Sequence, residues 1–231
     1  MTELIKGKRS ELEKKTAKII KDAIDDVLEE KRFVVLALPG GKNVSKIFES
    51  LADEQIPWTK VHIFLVDDRL VPFSNQKSNS KLVQDYLTDD IIAKGLLPTE
   101  NFHPFIFDKT QDDYGMKDYT RELQRYGGEY DIVLLSSGKD GHVGSLFPHN
   151  AAFESKSEFF VEIEDAPHPP ESRITMARKL FLKSRIAVVL FFGAEKREAF
   201  ERFNDNAVDV RACPAKLVQA IEKSYVLTDL K

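Results

Sequence analysis

The chain has 231 residues, with 42% hydrophobic and 31% charged side chains, a mixture that excludes wholesale disorder and suffices for one large domain with its own core. Its 34 basic and 38 acidic residues leave a net charge of −4, which argues against a protein whose main business is coating nucleic acid or an anionic membrane. One cysteine, Cys213, allows no intrachain disulfide and fits a reducing compartment; with no signal-like start and no apolar run near the ~20 residues of a membrane helix, a single-domain cytoplasmic protein is expected.

Residues 2–31 read as one amphipathic helix, with Leu12, Ala17, Ile20, Ile24 and Val27 at helical spacing among lysines and glutamates. The period then changes. The unbroken run FVVLAL (33–38) reads as a strand covered on both faces. It stops at PGGKN (39–43), and helical spacing returns through Val44, Ile47, Phe48 and Leu51. A second strand is expected at 61–66, a helix at 78–87, a further helix at 112–126 and a third strand at 131–137. Segment 88–110 carries no clear period. A strand at 159–163, a proline-marked loop at 167–170, a strand and helix within 173–184, a strong strand at 186–192, a helix after it, a short helix at 214–222 and a last strand at 224–228 complete the chain. Such alternation predicts an α/β protein, a three-layer α/β/α sandwich around a mostly parallel, Rossmann-like sheet.

Ligands of such sheets bind beyond the carboxyl ends of the strands. Four polar segments leave strong strands there: PGGKN, the Asp67-Asp68-Arg69 turn, SSGKDGH (136–142) and GAEK (193–196). Gly40 and Gly41 allow a tight turn that leaves backbone N–H groups open to an anion, unless they form only an ordinary turn. Asp67 and Arg69 offer a carboxylate and a planar guanidinium fork, or a solvated ion cluster. His142, directly after a glycine turn, is a candidate general base, with Asp140 two residues earlier to hold its tautomer. Arg173 follows the proline cluster. Lys196 stands at a helix N-terminus, where the dipole disfavours it unless an anion is bound. Five histidines and one cysteine form no metal-ligand spacing.

These segments resemble the 6-phosphogluconolactonases, within the superfamily that also holds glucosamine-6-phosphate deaminases. The resemblance runs from about Phe33 to Tyr225. It rests on LALPGGKNVSKIFESL, on VHIFLVDDRLVPFSNQKSNSKLVQDYL, on YDIVLLSSGKDGHVGSLFP, which is the most specific, and on PHPPESRIT and GAEKREAF. The resemblance implies hydrolysis of 6-phospho-D-glucono-1,5-lactone, with a sugar phosphate as the partner, no cofactor, no metal and a monomeric enzyme. By position, His142 would be the base and Asp140 its neighbour. Gly40, Gly41, Arg173 and Lys196 would bind phosphate. Asp67 and Arg69 would line the sugar end, or Arg69 the phosphate. Pro39, Lys42 and Asn43 depart from the family's serines and threonine, and Lys42 would substitute a charge for lost hydroxyls. Asp68 stands where a glutamate is usual. Two rival readings are a glucosamine-6-phosphate deaminase and a non-catalytic sugar-phosphate sensor; against the deaminase, SLFPHN rather than a Glu-containing segment follows the histidine.

Overall fold

The computed structural model describes residues 2–231. In chain order its elements are β1 (Thr2–Lys6), α1 (Arg9–Glu30), β2 (Val34–Leu38), α2 (Ser45–Ala52), β3 (Val61–Leu65), β4 (Asp67–Arg69), α3 (Asn79–Val83), α4 (Asp89–Ala93), α5 (Met116–Arg125), β5 (Ile132–Ser136), β6 (Phe160–Ile163), β7 (Arg173–Met176), α6 (Arg178–Leu182), β8 (Ile186–Phe191), α7 (Arg197–Asn204) and β9 (Lys223–Thr228).

Six strands form one parallel sheet in the order β1-β9-β8-β5-β2-β3. Every residue of β2 and β8 is buried, which is why these strands are continuous apolar runs rather than alternating ones. Alternate residues of β2 enter different cores. Val34, Leu36 and Leu38 pack with Ile20 and Ile24 of α1 and with Ile47, Phe48 and Leu51 of α2. Val35 and Ala37 pack with Tyr119 and Leu123 of α5, Leu180 and Phe181 of α6 and Phe203 of α7. One sheet with helices on both faces is the three-layer sandwich expected from the sequence.

Three parts of the sequence reading are corrected. The helix expected over 2–31 is a strand and a helix, separated at Gly7. Residues of β1 are mostly exposed; the strand is held by parallel pairing with β9, Thr2 opposite Ser224, so backbone hydrogen bonds rather than a buried face define it. The Asp67-Asp68-Arg69 segment is β4, not a loop. It is the edge of a second, antiparallel sheet in the order β4-β7-β6. Segment 214–222 forms a 3-10 helix, Pro214–Ala220.

From β2 the chain passes through α2 to β3 on one side, while β5 lies on the other side of β2. The loops leaving β2 and β5 therefore part, and a crevice opens between them. The small sheet, fed directly from β3, forms the crevice's third wall.

Away from the crevice, His62 Nδ1 and His103 Nε2 are 3.0 Å apart. The His103 ring stacks on Phe64 with centroids 4.3 Å apart, and its Nδ1 lies 3.1 Å from Glu122 Oε1. Burial, with His62 adding, pushes the His103 pKa down to about 4. An unfolded histidine titrates near ~6.5, so below that pH the unfolded chain binds a proton that the native imidazole refuses. Stability should therefore fall as pH drops from about 6.5 towards 4, by about 1–2 kcal/mol between pH 7 and pH 5 from this group. Urea unfolding at the two pH values measures the loss, and His103→Gln should shrink it; an unchanged pH difference in that variant would assign the loss to other groups.

Candidate active site

At the mouth of the crevice lies a cleft of about 380 Å³, a volume suited to a small ligand. Gly40, Gly41, Lys42, Asp67, Arg69, His142, Arg173 and Lys196 all line it. Asp140 reaches it through His142. Residues from β2, β4, β5, β7 and β8, far apart in the chain, thus meet at one rim.

The loop after β5 is a tight turn in which the Gly138 N–H donates to the His142 carbonyl (2.8 Å). It brings His142 Nδ1 to 2.6 Å from Asp140 Oδ1, which also accepts the His142 backbone N–H at 3.2 Å. Burial pushes the Asp140 carboxyl upward, but the hydrogen bond and charge of the neighbouring imidazole outweigh it and hold its pKa at about 2. Asp140 is therefore an anion at neutral pH. An anionic acceptor at Nδ1 fixes the tautomer that carries its proton there and leaves the Nε2 lone pair free. Gly138 makes the arrangement possible: a Cβ there would lie 2.1 Å from His142 Nδ1 and Cε1.

After β2, Gly41 takes φ +101°, in the left-handed region that favours glycine. Gly40 is required for a different reason, since a Cβ there would fall 1.7 Å from Asn79 Oδ1. Asn79, which is buried, donates from Nδ2 to Asp67 O (3.0 Å) and Asp67 Oδ1 (3.2 Å), tying the start of α3 to the small sheet directly beside the first loop. Asp68 is fully internal. Its carboxylate accepts the backbone N–H groups of Arg69, Asn79 and Ser80 and the Ser78 hydroxyl, which pins the start of α3. Burial nonetheless keeps its pKa above the ordinary aspartate value. The shorter side chain at this position acts on the fold, not on a ligand.

Arg69 and Arg173 are register partners across β4 and β7. Arg69 Nη1 donates to the Lys77 carbonyl at 2.5 Å. Arg173 donates from Nε to Pro170 O (3.0 Å) and from Nη2 to His168 O (2.7 Å), so the proline-rich loop exists in part to hold this side chain. Burial pulls the Arg173 pKa down, Asp67 opposes that pull and Arg69 adds to it. Lys196 is likewise pulled below the usual lysine value, first by burial, with Glu195 and Asp140 supporting its charge and Lys139 opposing it. Two partly desolvated cations facing a cleft raise the attraction for an anion, because neither is fully satisfied by water. Phe147 sits between the two kinds of chemistry: its ring centroid is 4.6 Å from that of His142 and 5.4 Å from the Arg173 guanidinium carbon.

Asn79 and His168 line the cleft from outside the segments nominated by sequence, and Ser136, Ser137, Lys139 and Glu195 line it from within those segments without having been singled out. Asn79 carried a signal, standing directly after Ser78, whose side chain caps α3 by accepting the Lys81 N–H. Of the others, Ser136 ends β5 and the rest sit in turns with no periodic pattern. Asp67 lines the cleft, but its carboxylate is occupied by Ser145 Oγ (2.6 Å) and Asn79, so it is bound into the wall rather than left free for a sugar hydroxyl.

A histidine–aspartate pair and partly desolvated cations thus share one cleft at the switch point of a parallel sheet, an arrangement able to take up a small anionic molecule. Residues 7–227 match the family described as glucosamine-6-phosphate isomerases/6-phosphogluconolactonase, and the chain belongs to that family. It is 27% identical over 204 residues to a 6-phosphogluconolactonase of Borreliella burgdorferi, covering 88% of this chain and 87% of that protein. It is also 27% identical over 205 residues to a 6-phosphogluconolactonase of Thermotoga maritima, covering 89% and 88%. The crystal structure of a 6-phosphogluconolactonase from Shewanella baltica superposes with a TM-score of 0.85 at 24% identity, covering 99% of this chain and 97% of that one, a likeness of fold.

Proposed function

We propose that the protein hydrolyses 6-phospho-D-glucono-1,5-lactone to 6-phospho-D-gluconate, a step of the oxidative pentose phosphate pathway. Family membership and the curated relatives support the reaction; the observation that carries it in this chain is one cleft holding the His142–Asp140 pair and the cations Arg173 and Lys196.

The lactone is an activated ester. Neutral His142 takes a proton from water at Nε2 as the oxygen attacks the carbonyl carbon. The carbonyl electron pair moves onto oxygen, giving a tetrahedral anion whose charge the cations and backbone N–H groups of the rim offset. The anion reforms the carbonyl, the bond to the ring oxygen breaks, and the imidazolium returns the proton to that oxygen. The product carboxylic acid then ionises in water. Asp140, anionic throughout, stabilises the imidazolium that forms in between. Remote grip on the phosphate by Gly40, Gly41, Lys42, Arg173 and Lys196 positions the ester and converts binding energy into rate. Arg69 stands at the same rim.

Activity is measured as lactone loss above the spontaneous opening rate. Arg173→Ala and Lys196→Ala should each raise KM for the phosphorylated lactone by about tenfold or more, since each removes a charge-assisted contact. Unphosphorylated glucono-1,5-lactone should be little affected. Equal losses on both substrates would remove these residues from the phosphate grip. Ammonia release from glucosamine 6-phosphate is the assay for the deaminase reading. After His142 the next carboxylate in the chain is Glu154, which pairs with Arg211 at 3.1 Å outside the cleft, a placement that does not favour it.

We read the enzyme as a cytoplasmic, monomeric single domain. Every group in the proposed mechanism comes from one chain, Cys213 is a buried free thiol, and no helix among the described residues is long and apolar enough to cross a membrane.

A further inference from the structure

We infer that Ser145 is a positioning residue that decides the preference for a phosphorylated substrate, by fixing the Arg173 fork in the cleft with Asp67 as its buried counter-charge. The inference rests on the proposed lactonase reading and adds a specificity determinant to it. Ser145 is fully buried. Its hydroxyl donates to Asp67 Oδ2 at 2.6 Å and accepts from Arg173 Nη1 at 3.4 Å, while its backbone N–H donates to Thr175 Oγ1 at 3.1 Å. Asn79 holds the other carboxylate oxygen of Asp67. A chain of polar groups therefore runs from Asn79 through Asp67 and Ser145 to Arg173.

The donor inventory gives this chain its consequence. A guanidinium has five N–H groups. In Arg173, Nε is committed to Pro170 O, one Nη2 proton to His168 O and one Nη1 proton to Ser145 Oγ. Two protons remain, one on each terminal nitrogen, as donors for the oxygens of a phosphate. With the two carbonyls alone, Nη1 loses its protein acceptor and the fork its link to Asp67, so the guanidinium is held less firmly in the cleft. Asp67 cannot perform this task directly, because its oxygen reaches the guanidinium only through the serine hydroxyl.

The test compares wild type with Ser145→Ala on the phosphorylated lactone and on unphosphorylated glucono-1,5-lactone, together with calorimetric binding of inorganic phosphate. For Ser145→Ala, KM for the phosphorylated lactone should rise about tenfold with kcat nearly unchanged, phosphate binding should weaken by a similar factor, and kinetics on the unphosphorylated lactone should not move. Ser145→Cys, close in volume but a weak donor, should give the same pattern and serves if the alanine variant does not fold. Parallel losses on both lactones, or phosphate binding equal to wild type, would overturn the inference. Wild type that binds phosphate but hydrolyses neither lactone would instead count against the proposed reaction, and the phosphate comparison would still decide the role of Ser145.

Discussion

His142→Ala should lower kcat on 6-phospho-D-glucono-1,5-lactone by ~10²–10⁴, the range a positioned general base contributes, with little change in KM. The size follows from the geometry. Only Nε2 of this imidazole is free to take the water's proton, since Nδ1 is held 2.6 Å from Asp140. The alanine variant keeps Arg173, Lys196 and the glycine turns, so it should still bind substrate and retain the part of the acceleration that comes from charge stabilisation. A companion variant, Asp140→Asn, should lose less, because it keeps a side chain of the same shape but removes the anion that selects the tautomer. Acidification is a further check. With its pKa at about 2, Asp140 stays ionised across any practical assay range, so a loss of rate between pH 7 and pH 5 must come from another group. If purified His142→Ala turns over lactone like wild type above the spontaneous background, the base assignment is wrong.

Gly138→Ala should cost nearly as much, at least ~10² in kcat, although it removes no functional group. A methyl at this position would lie 2.1 Å from two ring atoms of His142 and 2.6 Å from Asp140 Oδ1. No atoms pack so closely, so the imidazole must swing away and its hydrogen bond to Asp140 must break. Misplacement by about 1 Å is enough to cost 10²-fold in an oriented reaction. The methyl meets the partly exposed side chains of His142 and Asp140 rather than the apolar core, so the unfolding midpoint should stay near that of wild type. A double-mutant cycle separates steric displacement from any other effect. In the His142→Ala background the collision with the ring disappears, and Gly138→Ala should then reduce the residual rate only slightly. Additive losses in the double variant would show that the glycine acts by some route other than the histidine.

The sheet and most of its helices were legible in the sequence because burial on both faces writes long apolar runs, as in Val34–Leu38 and Ile186–Phe191. Elements defined by hydrogen bonds were not. The mostly exposed β1 has no buried face to produce alternation, and its lysine- and glutamate-bearing residues merged with α1. β4 consists of two aspartates and an arginine, and its aspartates are buried by polar partners that come from residues 78–80 and from Ser145. The site was legible as far as strand ends carry it: those segments supplied Gly40, Gly41, Lys42, Asp67, Arg69, His142 and Lys196, the proline cluster pointed to Arg173, and the cleft gathers them. What could not be read was which polar residues face a ligand and which face each other. Asp67 and Asp68 look alike in the chain, yet both carboxylates are spent inside the wall. Asn79 and Ser145 look like ordinary loop and cap residues, yet both are buried among the charged ones. Such roles depend on contacts across dozens of positions, and a single sequence holds no period that reports them.

The pairing of β1 with β9 joins residues 222 positions apart, as in the contact between the Thr2 and Ser224 hydroxyls. During synthesis β1 thus has no sheet neighbour until β9 is made, at translation speeds of roughly 5–20 residues per second. Until then one margin of the sheet, at β8, stays open, and the emerging polypeptide must keep β1 waiting without misjoining. Glu3 and Lys6 flank its two apolar residues, Leu4 and Ile5, and such charges on a strand oppose pairing with other chains while that interval is spent in water.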